Sequence, residues 1–396
     1  MSLQSLSEAN ETTRSKKESI ITMLTGMVTL IVVVGMGRFS LTPQIPLMIA
    51  GGHLTLSCAG ILAAMNYIGY LGGAVHVSRL RAHHVDYLKA GLLATALVKL
   101  LSGFTDNFTL QCLYRFVAGV GGALALIIVT SWTQMRLAAQ GAPRMSAAVF
   151  TGPGIGITLT GLLAWAMAGC HADAGQGWMV YGSTALAGAA LVWRKLPQAL
   201  PVRVTESKRA RMPRNLKILF VAYTLAGFGY ILPATFLSQM AREIFSGSDL
   251  AAFFWPLFGL SAVIGGLLVI AFPSCFNTRN SLALTMVLQG VGVAMPVLMP
   301  GAAGLCVATI VIGLGFLSIM QLTMKLARQV TTGPVATTVA FLTSGYASGQ
   351  LIGPLVSSAS VSLTGSLQAA LLIAAAGLLI GGVMIVSAIE PAAKAE

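Results

Sequence analysis

The chain has 396 residues, 56% of them hydrophobic and only 9% charged, with a mean hydropathy of +0.83. A soluble globule of this size needs far more polar surface, so the composition places the chain in a bilayer. The formal charge of +13 does not mark a nucleic-acid binder, because the basic residues fall between apolar stretches and form no single aromatic-laced patch.

Stretches of roughly 20 apolar residues suit helices crossing a ~30 Å hydrocarbon core. They predict spans over Ile20–Ile49, Thr55–Val77, Asp86–Phe104, Phe108–Ala139, Met145–Gly169 and Gly177–Arg194. Six more are predicted over Asn215–Ala241, Asp249–Phe272, Asn280–Met299, Ala302–Gln329, Val335–Ser360 and Gly365–Ile389. The ten-residue alternation of a membrane barrel is absent. The first stretch runs past signal-peptide length into Arg38, Pro43 and Pro46 without a small-residue cleavage site, so it is expected to stay as an anchor. The organisation expected is a tail (1–19), a six-helix bundle (20–194), a linker (195–214), a second bundle (215–389) and a tail (390–396). The linker is rich in proline and cations, too polar to bury a core, and able to touch anionic headgroups. Cys58, Cys112, Cys170, Cys275 and Cys306 show no CxxC spacing and read as packing residues.

Alternate loops carry Arg14, Lys16 and Lys17, then Arg79 and Arg81, Arg136 and Arg144, the linker, Arg279, and Lys325 with Arg328. The opposite loops carry Asp106, His171 with Asp173, and a mixed Arg242, Glu243 and Asp249 group. Positive charge stays inside, so both termini are expected in the cytoplasm.

Glycine pairs recur between the halves. Gly35 and Gly37 of the first span return as Gly227 and Gly229, Gly119 and Gly121 of the fourth as Gly313 and Gly315, and Gly152 and Gly156 of the fifth as Gly345 and Gly349. The leading members lie 192 (35 to 227), 194 (119 to 313) and 193 (152 to 345) residues apart, and that constancy in three ordered places marks an internal repeat. Parallel six-helix repeats imply a pseudo-two-fold axis along the membrane normal, with a solute path between the halves near the midplane.

The run LYRFVAGVGGA, with Arg115, Gly119, Gly121 and Gly122, resembles the fourth-helix motif of the major facilitator superfamily, an arginine followed by a glycine ladder. TGPGIG, with Gly152, Pro153 and Gly156, is similar to that superfamily's fifth-helix Gly-Pro-x-x-Gly motif, associated with exchangers and exporters. GRFSLTP and NYIGYLGG further resemble its YbfB/YjiJ-type branch. The resemblance spans essentially the whole membrane part. It implies an all-α polytopic fold of about 12 transmembrane helices in two pseudo-symmetric bundles, and a small-solute carrier of a bacterial inner membrane working by alternating access. The chain departs from the pattern in two places. The loop Gly73–Arg81 keeps Arg79 and Arg81 but lacks the acidic residue of the family's Gly-x-x-x-Asp-Arg signature, and Ala118 replaces the polar residue usual before Gly119.

Arg38 and Arg115 each cost at least ~2.5 kcal/mol at mid-bilayer unless they face water, a partner or the protein interior. The resemblance puts the first and fourth helices on the central cavity, where the two cations form a fork for a carboxylate or phosphate. The alternative is that each caps backbone carbonyls exposed at a kink. Asn66, Tyr67, Tyr230, Gln321 and Tyr346 are candidates to complete such a pocket, Tyr230 holding the repeat position of Arg38, and each also fits an interhelical hydrogen-bonding role. The paired glycines serve close helix packing and, with Pro153, allow the halves to rock. Pro43 and Pro46 either kink the first helix or lie near its outer end. Lys99, about two turns from Asp106, is expected to snorkel outward or to pair there.

No Asp, Glu or His lies well inside a span, so neither a buried proton relay nor an acidic sodium site is evident, and an organic anion is the expected solute. His76, His83 and His84 with Asp86 fit no closed tetrahedral metal set. No glycine run opens a nucleotide-binding βαβ unit, and no hydrolase motif occurs. Neither a cofactor, a metal, a nucleic-acid partner nor catalysis is expected, and the chain is expected to be monomeric. Two readings stay beside the anion carrier: an exporter of drug-like or sugar-like compounds, and a receptor or assembly protein that keeps the fold without transport.

Overall fold

A computed structural model of the chain describes residues 3–80, 82–199, 213–246, 248–272, 277–331 and 335–389. Arg81, Cys275, residues 200–212 of the linker and the tail 390–396 lie outside the described residues. Twelve long helical spans follow one another, and no strand occurs among the described residues. The first, α1 (Leu3–Ala50, its candidate membrane span Lys16–Ala50), is α-helical over Leu3–Leu30, π-helical over Ile31–Phe39 and α-helical again over Leu41–Ala50. The first half continues with α2 (Leu56–Arg79), α3 (His84–Leu101), α4 (Phe108–Ala139), α5 (Met145–Gly169, broken just before Gly152) and α6 (Ala174–Trp193). The second half holds α7 (Arg214–Ile244), α8 (Asp249–Ala271), α9 (Thr278–Leu298), α10 (Ala302–Val330), α11 (Val335–Thr364) and α12 (Gln368–Ala388).

Ten of these helices are long and apolar enough to cross a membrane. The other two, α6 and α11, dilute their apolar residues with Gly, Ser and Thr. Spans start where polar caps follow the turns: Thr55 accepts from the Cys58 N–H, Asn107 from Leu110, and Asp173 forms a reciprocal capping box with Gln176. The polar segment before Ile20 is helical from Leu3 onward, so α1 begins well ahead of its apolar stretch.

The repeat seen in the sequence is also a repeat of packing register. A Cβ placed on Gly119 would come 2.0 Å from the Asn66 carbonyl oxygen, and one on Gly313 would come 2.7 Å from that of Phe258, the residue 192 positions beyond Asn66 (66 to 258). Gly121 abuts Thr95 and Gly315 abuts Gln289, again 194 positions further on (95 to 289). Gly152 sits on Met27 as Gly345 sits on Phe220, and Gly156 on Ile31 as Gly349 on Thr224. These glycines let α4 close on α2 and α3, and α5 on α1, with the same contacts rebuilt in the second half.

The halves meet along two symmetry-related seams, α2 against α11 and α5 against α8. Gly60 faces the Pro354 carbonyl and Ser358 Oγ, while Gly161 faces the ring of Pro256. Thr42 Oγ1 donates to the Ala234 carbonyl at 3.0 Å across 192 residues of sequence. A residue touching its own repeat mate must stand beside the pseudo-two-fold axis, so this contact locates the axis at the end of α1 and α7. Ser358 Oγ donates to the Ser57 carbonyl at 2.6 Å, Ser57 and Ser362 share a hydroxyl bond at 2.8 Å, and Trp255 Nε1 donates to Thr160 Oγ1 at 3.0 Å. These bonds lie between mid-span and the face carrying the α1–α2 and α11–α12 turns, termed the outer face below.

Gly119→Val would drive a side chain into backbone, so it should cost about 3 kcal/mol or more and lower the apparent Tm sharply or abolish the monodisperse peak on size-exclusion chromatography. Gly72→Ala, whose Cβ would meet nothing within 4 Å, should leave both unchanged.

Candidate functional site

The site is organised by the π-helical stretch of α1. Pro43 has no N–H to offer the carbonyls a turn earlier, at Arg38 and Phe39, and the wide turn ends at Phe39. In a bilayer interior a freed carbonyl needs an internal donor. Arg115 of α4 supplies one at Arg38, its Nη2 donating to that carbonyl at 3.2 Å, and its Nη1 donates to the neighbouring Gly37 carbonyl at 3.1 Å. Arg115 is 2% exposed. The two terminal nitrogens each bond a backbone carbonyl, the geometry of the carbonyl-capping alternative, while Nε has no partner. Asn66 of α2 extends the network, its Nδ2 donating to the Arg115 carbonyl at 3.1 Å.

Arg38 is left free of that task and half-buried. Its guanidinium carbon lies 5.1 Å from the centre of the Tyr67 ring and 4.6 Å from that of Tyr70, both on α2. Its Nη1 donates to Gln350 Oε1 of α11 at 3.3 Å, and Gln350 Nε2 donates to the Tyr230 hydroxyl of α7. Arg38 and Tyr230, the repeat mates, are therefore joined through one amide across the two halves. Tyr230 stacks on Phe316 at 4.7 Å and on Tyr346 at 5.7 Å, and Tyr346 stacks on Tyr223 at 4.4 Å. A cation on one side of the axis thus faces a column of aromatic rings on the other.

A narrow recess lined by Val34, Arg38, Asn66, Tyr70, Ala118 and Gly122 opens beside the guanidinium. Asn66 Oδ1 has no partner there. Of the candidates named from sequence, Arg38, Tyr67, Tyr230 and Tyr346 gather around the cation and Asn66 joins from the recess. Gln321 lies elsewhere, its amide against Gly266 of α8. Gln350 and Tyr70 were missed by sequence reasoning. Both were visible as polar or aromatic residues one helical turn beyond a named candidate, Gln350 after Tyr346 and Tyr70 after Asn66.

Lys99 also departs from expectation. It is 1% exposed and lies with its Nζ 4.8 Å from the Trp178 ring, while Asp106 is paired with His53 at 3.7 Å. It neither snorkels nor reaches Asp106, because α6 covers the outer end of α3. His83 bonds Asp86 at 3.2 Å in an exposed loop, and no metal-binding group of His, Cys, Asp or Glu occurs among the described residues.

Twelve spans in two repeated halves, with a cation and an aromatic column meeting on the axis between them, define a polytopic membrane protein of the transporter class. The family model described as "Uncharacterised MFS-type transporter YbfB" matches residues 30–386, and the chain belongs to that branch of the major facilitator superfamily. None of the curated proteins matches it. Among solved structures, the nucleoside transporter NupG superposes with a TM-score of 0.75 at 13% identity, covering 93% of this chain and 100% of that one. The D-xylose-proton symporter superposes with a TM-score of 0.76 at 12% identity, covering 94% and 98%. At such identities the likeness is one of fold.

Arg115→Gln should uncap a buried carbonyl pair and cost about 3 kcal/mol, read as a large fall in apparent Tm, whereas Arg38→Gln should shift Tm by no more than about a third as much.

Proposed function

We propose that this protein moves a small organic anion carrying a flat or ring-shaped apolar part, by alternating access between its two halves. The observation that carries the reading is Arg38: a cation beside the axis whose side-chain hydrogen bond goes to a neutral amide and whose other neighbours are two tyrosine faces. A carboxylate arriving there gains a charge-assisted, bidentate partner in a low-dielectric site. It competes with the 3.3 Å bond to Gln350 and with the contacts to Tyr67 and Tyr70. The column Tyr230, Tyr346 and Phe316 is stacked and buried here, and rocking of the halves would have to expose its rings to the rest of the solute. With both termini taken as cytoplasmic from the loop charges, the outer seam of Thr42, Ser57 and Ser358 closes the periplasmic side, and the solute path opens inward. Rocking about the small-residue seams would break those few hydrogen bonds and expose Arg38 to the other side.

A second reading, a neutral ring-bearing solute, is favoured by the aromatic column and by the nucleoside and xylose named for the two structural neighbours. The charge of Arg38 argues for the anion. The two separate in a thermal-shift screen of the purified protein against organic acids, sugars, nucleosides and cationic drugs, followed by flux into proteoliposomes. The anion reading expects aromatic or other apolar carboxylates to stabilise the wild type and to be transported saturably, and expects Arg38→Gln to weaken binding about 100-fold. Stabilisation by sugars or nucleosides alone, untouched by Arg38→Gln, would establish the neutral-solute reading instead. Binding without flux in either direction would point to a receptor.

Tyr230→Phe keeps the ring stack and loses the hydroxyl that holds Gln350. It should weaken anion binding by about threefold to tenfold, far less than Arg38→Gln, in the same titration.

A further inference from the structure

We infer that the outer third of the first half contains a second, fully occluded anion site, separate from Arg38, which holds a monatomic anion of the chloride class among Lys99 of α3, Trp178 of α6 and Gln44 of α1. All three side chains are sealed from solvent, at 1%, 1% and 0% exposure. Lys99 Nζ lies over the Trp178 ring at 4.8 Å. The Gln44 amide rests against Gly177, the residue before Trp178, so closely that a Cβ on that glycine would fall 2.2 Å from Nε2 and 3.1 Å from Oε1. Glycine at 177 is therefore what admits the amide to this place.

What the cluster lacks is hydrogen-bond partners. Trp178 Nε1 has no protein partner, and neither has either polar atom of Gln44, so flipping the amide satisfies nothing. Buried N–H groups without partners are rare enough to require an occupant. The charge balance points the same way. The charged group acting on Lys99 is Arg115, of the same sign, and the nearby acid Asp106 is engaged by His53 at 3.7 Å. With an anion bound to keep Lys99 charged, its ammonium, the Trp178 indole N–H and the Gln44 amide N–H would form the donor set for a small anion. The near-complete burial of the walls leaves no room for an organic solute. Gln44 also lies next to Pro43 on the segment of α1 whose Thr42 closes the halves at Ala234. An anion bound there would hold the outer end of α1 in the closed arrangement.

The test compares apparent Tm of the purified full-length protein in chloride, bromide and gluconate at equal ionic strength, with no organic acid present. The expected result is a Tm higher by about 4 °C or more in either halide than in gluconate, for the wild type and for Arg38→Gln alike, with the difference lost in Lys99→Gln and in Gln44→Leu. Equal Tm in the three salts for the wild type overturns the proposal and leaves water or a neutral amine in the cluster. A halide shift that survives Lys99→Gln, or that disappears in Arg38→Gln alone, also overturns it, the latter by placing the halide at the solute site. Should Lys99→Gln fail to fold, anomalous scattering from wild-type crystals grown in bromide decides: a peak in contact with Lys99 Nζ supports the site, and its absence there refutes it.

Discussion

The paired hydrogen bonds from Arg115 to the carbonyls of Gly37 and Arg38 are the interaction on which the centre of the molecule depends. A proline-terminated π-helical stretch in a bilayer leaves backbone acceptors that neither water nor lipid can satisfy. Arg115 donates to the Arg38 carbonyl and to its neighbour at Gly37 from another helix, and it reaches them because Gly119 and Gly121 bring α4 against α2 and α3 without intervening side chains. The widened turn in α1 is thereby fixed, and with it the direction in which Arg38 leaves the helix. Asn66, bonded to the carbonyl of Arg115, ties α2 to the same unit.

The two halves share a packing register and differ in chemistry. The position of Arg115 is held in the second half by Thr309, 194 residues on (115 to 309), and Thr309 bonds only within its own helix, at 2.7 Å to Leu305. Correspondingly α7 is α-helical throughout, with no π stretch to cap. Tyr230 stands for Arg38 and Phe258 for Asn66. Duplication supplied the scaffold, and divergence placed the cation and its carbonyl cap on one side of the axis and the stacked rings on the other. Under the proposed function, a solute held between them would meet different groups on its two ends.

Much of the fold was legible in the residues. Hydropathy set the spans because bilayer thickness fixes helix length, and the glycine spacing revealed the repeat because only small residues let backbones touch at those points. The site was legible in part. Arg38 and Tyr230 were legible as repeat mates, but the rotation of α11 that brings Gln350 between them depends on tertiary packing. Carbonyl capping by Arg115 was one of two readings left open, because backbone carbonyls carry no residue identity by which to choose between them. Lys99 was misplaced because α6 and the ring of Trp178 cover the outer end of its helix, a packing that the spacing to Asp106 does not reveal.

The claim that Arg38 is the solute's anchor and Arg115 its structural support is tested most directly by a structure of the protein with its best-stabilising organic acid bound. The account predicts the carboxylate on the Arg38 guanidinium, the bond from Arg38 to Gln350 broken, and Arg115 still on the carbonyls of Gly37 and Arg38. An acid bound away from Arg38, with its bond to Gln350 intact, or a carboxylate that draws Arg115 off those carbonyls, would contradict it.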